Sequence, residues 1–180
     1  MEYSKEVELI KNGEIGVIPT DTIYGLVCSA FSPSAVERIY QLKKRDSRKP
    51  LIVLISTESD IEKFNIKPDA VTKEIFKKYW PGPVSIVVPC ESKSFSYLHR
   101  GTGSIAFRLP KQKWLIEFLR ETGPIVAPSA NLEGEPPAKT IEEAKKYFGA
   151  NVSFIIDKGE LNGKPSTIIS VVDSKEKQMR

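Results

Sequence analysis

Histidine is almost missing from this 180-residue chain, His99 being the only one. A histidine triad or a multi-histidine metal centre is therefore hard to build. Any chemistry has to rest on Lys, Arg, Ser, Thr, Asn, carboxylates and backbone groups. Cysteine is scarce as well. Cys28 and Cys90 lie far apart without metal-ligand spacing, which argues against a disulfide scaffold or zinc site and fits reduced thiols in the cytoplasm. No apolar run approaches the roughly 20 residues that cross a bilayer, so no membrane partner is expected. Residues 1–12 alternate charged and apolar side chains and read as an amphipathic helix, not a secretion signal. Internal repeats and low-complexity tracts are absent too.

What is present describes an ordinary globular domain. Hydrophobic residues make up 40% and charged residues 28%, with no composition shift to mark a second domain, so one domain over residues 1–180 is expected. The formal net charge of +4 permits phosphate ligands or RNA without requiring either.

The densest positive charge is Lys43-Lys44-Arg45-Asp46-Ser47-Arg48-Lys49-Pro50. It follows a segment that reads as the last turns of a helix and precedes the apolar run 51–55, the pattern of a strand covered on both faces. Pro50 biases Lys49 away from the helical region and fixes the exit into that strand. Cations on a short constrained loop suit a polyanion such as a nucleoside triphosphate; equally, they complement a helix carbonyl end and then face water.

Elsewhere, residues 15–18 read as a short strand ending at Pro19, where Thr20, Asp21 and Thr22 gather on the turn and Gly25 suggests a close backbone approach or a special dihedral. Ser32 and Pro33 open the helix that leads into the basic loop. Two short helices over 59–64 and 72–79 lead to Trp80-Pro81-Gly82-Pro83, a rigid turn into the strand 84–88. Residues 92–103 read as a mobile polar loop. The strand 104–110 carries Arg108, which needs a partner anion if the strand is internal and is merely exposed if it is an edge. After a helix over 111–121 and a strand over 125–127, Ser129 and Asn131 follow a proline, as Thr20 does. They could bind phosphate or a carboxylate, or serve as a turn or cap. Thr140, with Glu143 at capping-box spacing, opens a helix over 141–148. Strands over 152–156 and 168–172 follow, the last opened by Ser166 and Thr167, and the charged tail 174–180 is expected to fray.

Taken together, Pro19-Thr20-Asp21-Thr22-Ile23-Tyr24-Gly25-Leu26, Lys43-Lys44-Arg45, Lys49-Pro50-Leu51, Trp80-Pro81-Gly82-Pro83, Ile105-Ala106-Phe107-Arg108-Leu109-Pro110, Ala127-Pro128-Ser129-Ala130-Asn131 and Ser166-Thr167-Ile168 resemble the YrdC family, the threonylcarbamoyl-adenylate synthases. Each stretch is short; their order and spacing make the signature. The resemblance implies an α/β fold, a YrdC-like twisted mixed β-sheet flanked by helices around a large positively charged cavity. The chain resembles the single-domain form, without the second C-terminal domain of longer members.

The activity implied is nucleotidyl transfer: ATP, L-threonine and bicarbonate give threonylcarbamoyl-AMP and pyrophosphate, with Mg2+ bound through ATP. A tRNA threonylcarbamoyl transferase complex would then pass the group to the adenosine beside the anticodon. By matching positions, Lys43 and Arg45 are the catalytic candidates. With Ser129 and Asn131 they surround the nucleotide, Arg108 lies near the substrates, and Thr20, Thr22, Tyr24 and Ser166 line the pocket. Asp46 stands where the family often has proline, which implies a less constrained loop. The rival reading is a non-catalytic module contacting tRNA or double-stranded RNA through phosphates. It leaves the polar residues at the strand ends unexplained.

Overall fold

Alternation of apolar side chains along short strands puts one set of residues on each face of a sheet, and both faces here are covered by helices. The structure is a computed structural model that describes residues 2–172 and 175–179. Helix α1 (Ser4–Lys11) precedes the hairpin β1 (Gly16–Pro19) and β2 (Tyr24–Ser29). Helix α2 (Pro33–Lys43) leads through the basic loop to β3 (Ile52–Leu54), and α3 (Ala70–Tyr79) to β4 (Val84–Pro89). Then come the one-turn α4 (Ser96–His99), β5 (Ser104–Arg108), α5 (Lys113–Thr122), β6 (Ile125–Val126), α6 (Ile141–Phe148), β7 (Phe154–Ile155), β8 (Thr167–Val172) and β9 (Lys175–Gln178).

Among the described residues, nine strands form one sheet in the order β7-β1-β2-β6-β3-β5-β4-β8-β9. It is mixed. β1 with β7, β3 with β5 and β4 with β8 run parallel, and the other neighbours run antiparallel. Ile18, Val27, Leu54 and Ile125 pack beneath α1 and α5 against Ile10, Leu115 and Phe118, while Val17, Leu26, Val53 and Val126 join the larger core under α2, α3 and α6. Side chains one residue apart thus serve opposite faces, which accounts for the unbroken apolar run at 51–55. No described helix is long and apolar enough to cross a membrane.

Several expectations shift. The strand β2 was not anticipated, because Ile23 to Cys28 follows a polar turn without a stop signal ahead of it. Residues 92–103 do not form a mobile polar loop. A 3-10 turn (Lys93–Phe95) and α4 bury Phe95 and Leu98, and Tyr97 Oη donates to the Ala30 carbonyl at 2.8 Å. The tail is not wholly frayed, since Lys175–Gln178 pairs with β8; Ser174 and Arg180 lie outside the described residues. Thr140 caps α6 as its sequence suggests, but Glu143 accepts from Lys139 N at 2.7 Å. The reciprocal capping box forms instead at Thr57 and Asp60. Gly25 shows the close approach and not the special dihedral: Leu26 N donates to the Pro128 carbonyl at 2.9 Å, and Gly25 is not among the positive-φ residues.

Candidate active site

The cleft forms where the ends of β2, β3, β5, β6 and β8 meet the basic loop and the β7–β8 connection. Ser32 accepts from Ala35 N and Pro33 occupies the first position of α2, so the helix starts cleanly and its end is fixed. That end is a left-handed Lys44 (φ 50°), with Lys44 N donating to Gln41 O and Arg45 N to Tyr40 O. The reversal sends neighbouring cations to different places. Lys43 turns inward and is 1% exposed, while Arg45 lines the cleft.

Lys43 Nζ donates to Ser129 O at 2.5 Å, Asn131 O at 2.6 Å and Asn131 Oδ1 at 3.3 Å. Burial, and secondarily Arg45, push its pKa down to about 7, with Glu133 opposing. The three oxygens side with Glu133, because an ammonium can serve all of them and a neutral amine has only two N–H groups. Glu133 ties the same two loops from outside. It accepts from Asp46 N at 2.7 Å and Lys49 Nζ at 2.5 Å, while Glu133 N donates to Lys43 O at 2.9 Å. Asp46 therefore does not loosen the loop. Its N–H, which a proline would lack, meets Glu133, and its carboxylate holds Arg48 through N, Nε and Nη2.

The opposite wall is the turn between β1 and β2. Thr20 Oγ1 sits 3.0 Å from Thr22 Oγ1, donates to Ile23 O at 2.7 Å and accepts from the amides of Thr22 and Ile23. The turn is closed on itself by hydrogen bonds. Strand β5 lies between β3 and β4, so Arg108 is on an internal strand and 3% exposed. Its anion is Asp21, at 3.1 Å from Arg108 Nη2. Burial pushes the Asp21 carboxyl up, with Arg108 opposing. The cations around the site are largely matched: Arg108 by Asp21, Arg48 by Asp46 and Lys49 by Glu133.

The connection between β7 and β8 packs against the β1–β2 hairpin as a strap and reaches the cleft at Pro165 and Ser166. Tyr24 Oη donates to Gly159 O at 2.7 Å and accepts from Lys158 N at 3.3 Å. Gly163 lies so close to the Thr22 carbonyl that a β-carbon there would overlap it. Ser166 Oγ, at the end of the strap, is 2.9 Å from Ser85 Oγ on β4.

Of the nine residues singled out from the sequence, Thr20, Thr22, Tyr24, Arg45, Arg108, Ser129 and Ser166 line one cleft. Lys43 and Asn131 are buried behind its wall, in contact with each other. Sequence reasoning missed Asp21 as the partner of Arg108 and Glu133 as the tie between loops. The first had a signal, because an internal arginine needs an anion and Asp21 is the one carboxylate on the facing turn. The second had none.

The family model Sua5_yciO_yrdC, described as "Telomere recombination", matches residues 8–180. The chain belongs to this family. Among relatives of this Sua5/YciO/YrdC member, the threonylcarbamoyl-AMP synthase of Bacillus subtilis is 33% identical over 96% of this chain and 51% of its own length. A putative threonylcarbamoyl-AMP synthase of Mycobacterium tuberculosis is also 33% identical, over 97% of this chain and 81% of its own. The crystal structure of Pyrococcus abyssi Sua5 complexed with L-threonine superposes with a TM-score of 0.90 at 29% identity, covering 98% of this chain and 52% of that one. The chain thus spans about half the length of the Bacillus and Pyrococcus proteins. The mixed sheet flanked by helices that is expected for the family is the one observed.

Proposed function

We propose that the cleft joins ATP, L-threonine and bicarbonate into threonylcarbamoyl-AMP and releases pyrophosphate. The observation that carries the reading is the convergence of Thr20, Thr22, Arg45, Arg108, Ser129 and Ser166 on one cleft, in a chain whose relatives are named for that product. Threonine's amine takes up bicarbonate-derived carbon dioxide, and a carbamate oxygen attacks the α-phosphate. A P–O bond forms to the carbamate as the bond to pyrophosphate breaks. No protein nucleophile is needed, in keeping with the residue inventory. The protein's task is to position the reactants and neutralise developing charge.

In this reading Arg45 meets phosphate oxygens and Arg108 receives an anionic group of a substrate. The Ser129 hydroxyl orients substrate from a turn that Lys43 and Asn131 hold in place. Thr20, Thr22, Tyr24 and Ser166 shape the remaining wall, and the strap keeps water from the unstable carbamate. Among the described residues no three His, Cys, Asp or Glu side chains group to hold a metal. Mg2+ enters as part of the substrate MgATP, and no step is routed through it. The product would pass to a transferase acting on tRNA, and direct tRNA contact belongs to the same proposal.

The test is pyrophosphate release from MgATP and bicarbonate with and without L-threonine. Threonine-dependent release is expected, and release indifferent to threonine refutes the reading.

A further inference from the structure

We infer that Asp21 is a positioning residue: it fixes the guanidinium of Arg108 for a substrate anion, without itself touching substrate. This rests on the synthase reading. Three observations carry it. Arg108 is the charged residue on an internal strand, and it lines the cleft. Asp21 projects from the self-closed Thr20–Thr22 turn, its side chain only 6% exposed, and meets Arg108 through one oxygen at 3.1 Å. The carboxylate is also held from its own turn, its backbone N–H and the Arg108 side chain both opposing the upward push of burial.

An ion pair buried for stability alone needs its remaining lone pairs satisfied, otherwise desolvation of the two charges exceeds their attraction. A contact through one Asp21 oxygen at 3.1 Å is a modest source of stability on that account. What the contact does supply is direction. A long arginine side chain has many rotamers, and a fixed anion on one edge of the fork selects one of them. The planar fork at the cleft lining is then held in a set orientation, which is what recognition of a carboxylate or phosphate requires. The rigidity of the turn matters for the same reason, because an anchor that moved would orient nothing.

The experiment measures KM for threonine and for ATP, with kcat, in Asp21→Asn, Asp21→Glu, Arg108→Lys and the double variant Asp21→Asn/Arg108→Lys. Asp21→Asn keeps the shape and removes the charge. It is expected to raise by about tenfold the KM of the same substrate that Arg108→Lys weakens, the equivalent of loosening one charged hydrogen bond. The other KM stays within about twofold, and in the Arg108→Lys background Asp21→Asn adds less than about twofold, because the two residues act as one unit. Asp21→Glu, with its charge retained one methylene further out, shows the same substrate preference with a smaller effect. It also keeps the test alive should the asparagine variant fail to fold.

Equal losses for both substrates, or the full tenfold loss in the Arg108→Lys background, overturn the inference. If the wild type shows no threonine-dependent release, the synthase reading falls, and the side-chain 15N NMR signal of Arg108 decides this point separately. A signal sharp in the wild type and broadened in Asp21→Asn upholds the positioning role; an unchanged signal removes it.

Discussion

Lys43→Met separates holding the site from doing its chemistry. The substitution keeps most of the apolar stem and removes the amine, leaving the Ser129 and Asn131 carbonyls without the donor that reaches them at 2.5 and 2.6 Å. Each buried acceptor stripped of its partner costs about 1–3 kcal/mol. The amine's own desolvation, which drives its pKa down to about 7, offsets part of that. The net loss is then about 2–4 kcal/mol, and a chain of this size loses about 2–4 °C of melting temperature per kcal/mol. Urea unfolding of both proteins at pH 7, followed by tryptophan fluorescence, reads the difference. The turn over 129–131 should loosen first, with faster amide exchange at Asn131 and Glu133. A loss below about 1 kcal/mol, with amide exchange unchanged, would refute the reasoning and show that the turn stands without the lysine.

The pH dependence of that stability has a definite sign. Because Lys43 titrates near 7 in the fold and near its ordinary value of about 10.4 when unfolded, the unfolded chain binds more protons between those values. Wild-type stability should therefore rise from pH 7 towards 10 relative to Lys43→Met, and parallel profiles would contradict it. Arg45→Ala should cut threonine-dependent pyrophosphate release about a hundredfold, by losing one charge-stabilising contact. Its listless grip on the fold, two long contacts to the Lys49 and Pro50 carbonyls at 3.3 and 3.4 Å, should leave stability within about 0.5 kcal/mol. An unchanged rate in the folded variant takes Arg45 out of the chemistry. Gly163→Ala should lift the strap from Thr22 and raise at least one substrate KM about tenfold through misplacement of Ser166, with faster amide exchange over 157–166; normal kinetics would show that the strap tolerates the shift.

Much of the fold is written in local signals. Ser32-Pro33 starts α2 where it should, Thr140 caps α6, and the prolines at 81 and 83 turn the chain into β4. Strand neighbours are another matter. β6 inserts between β2 and β3, and β5 between β3 and β4, pairings that depend on which apolar faces meet in three dimensions. The site shows the same division. Residue types and family spacing marked seven residues that line the cleft, yet nothing local distinguishes Arg45, which reaches it, from Lys43, which does not. The left-handed Lys44 between them makes that difference, and lysine carries no signature for that backbone state. Glu133 lies in a turn-rich stretch and looks like any solvated carboxylate until the basic loop folds against it.

The strap carries a consequence for how the protein is made. One wall of the cleft comes from the β1–β2 turn and another from Pro165, Ser166 and Ile168, and Ser166 takes its place only when β8 aligns with β4. A chain leaving the ribosome therefore has its basic loop and the β1–β2 turn long before it has a complete cleft. A ligand stabilises only the state that binds it, so substrate cannot rescue the growing chain. Until the last strands emerge, the hairpin, the basic loop and the central sheet must persist on their own packing.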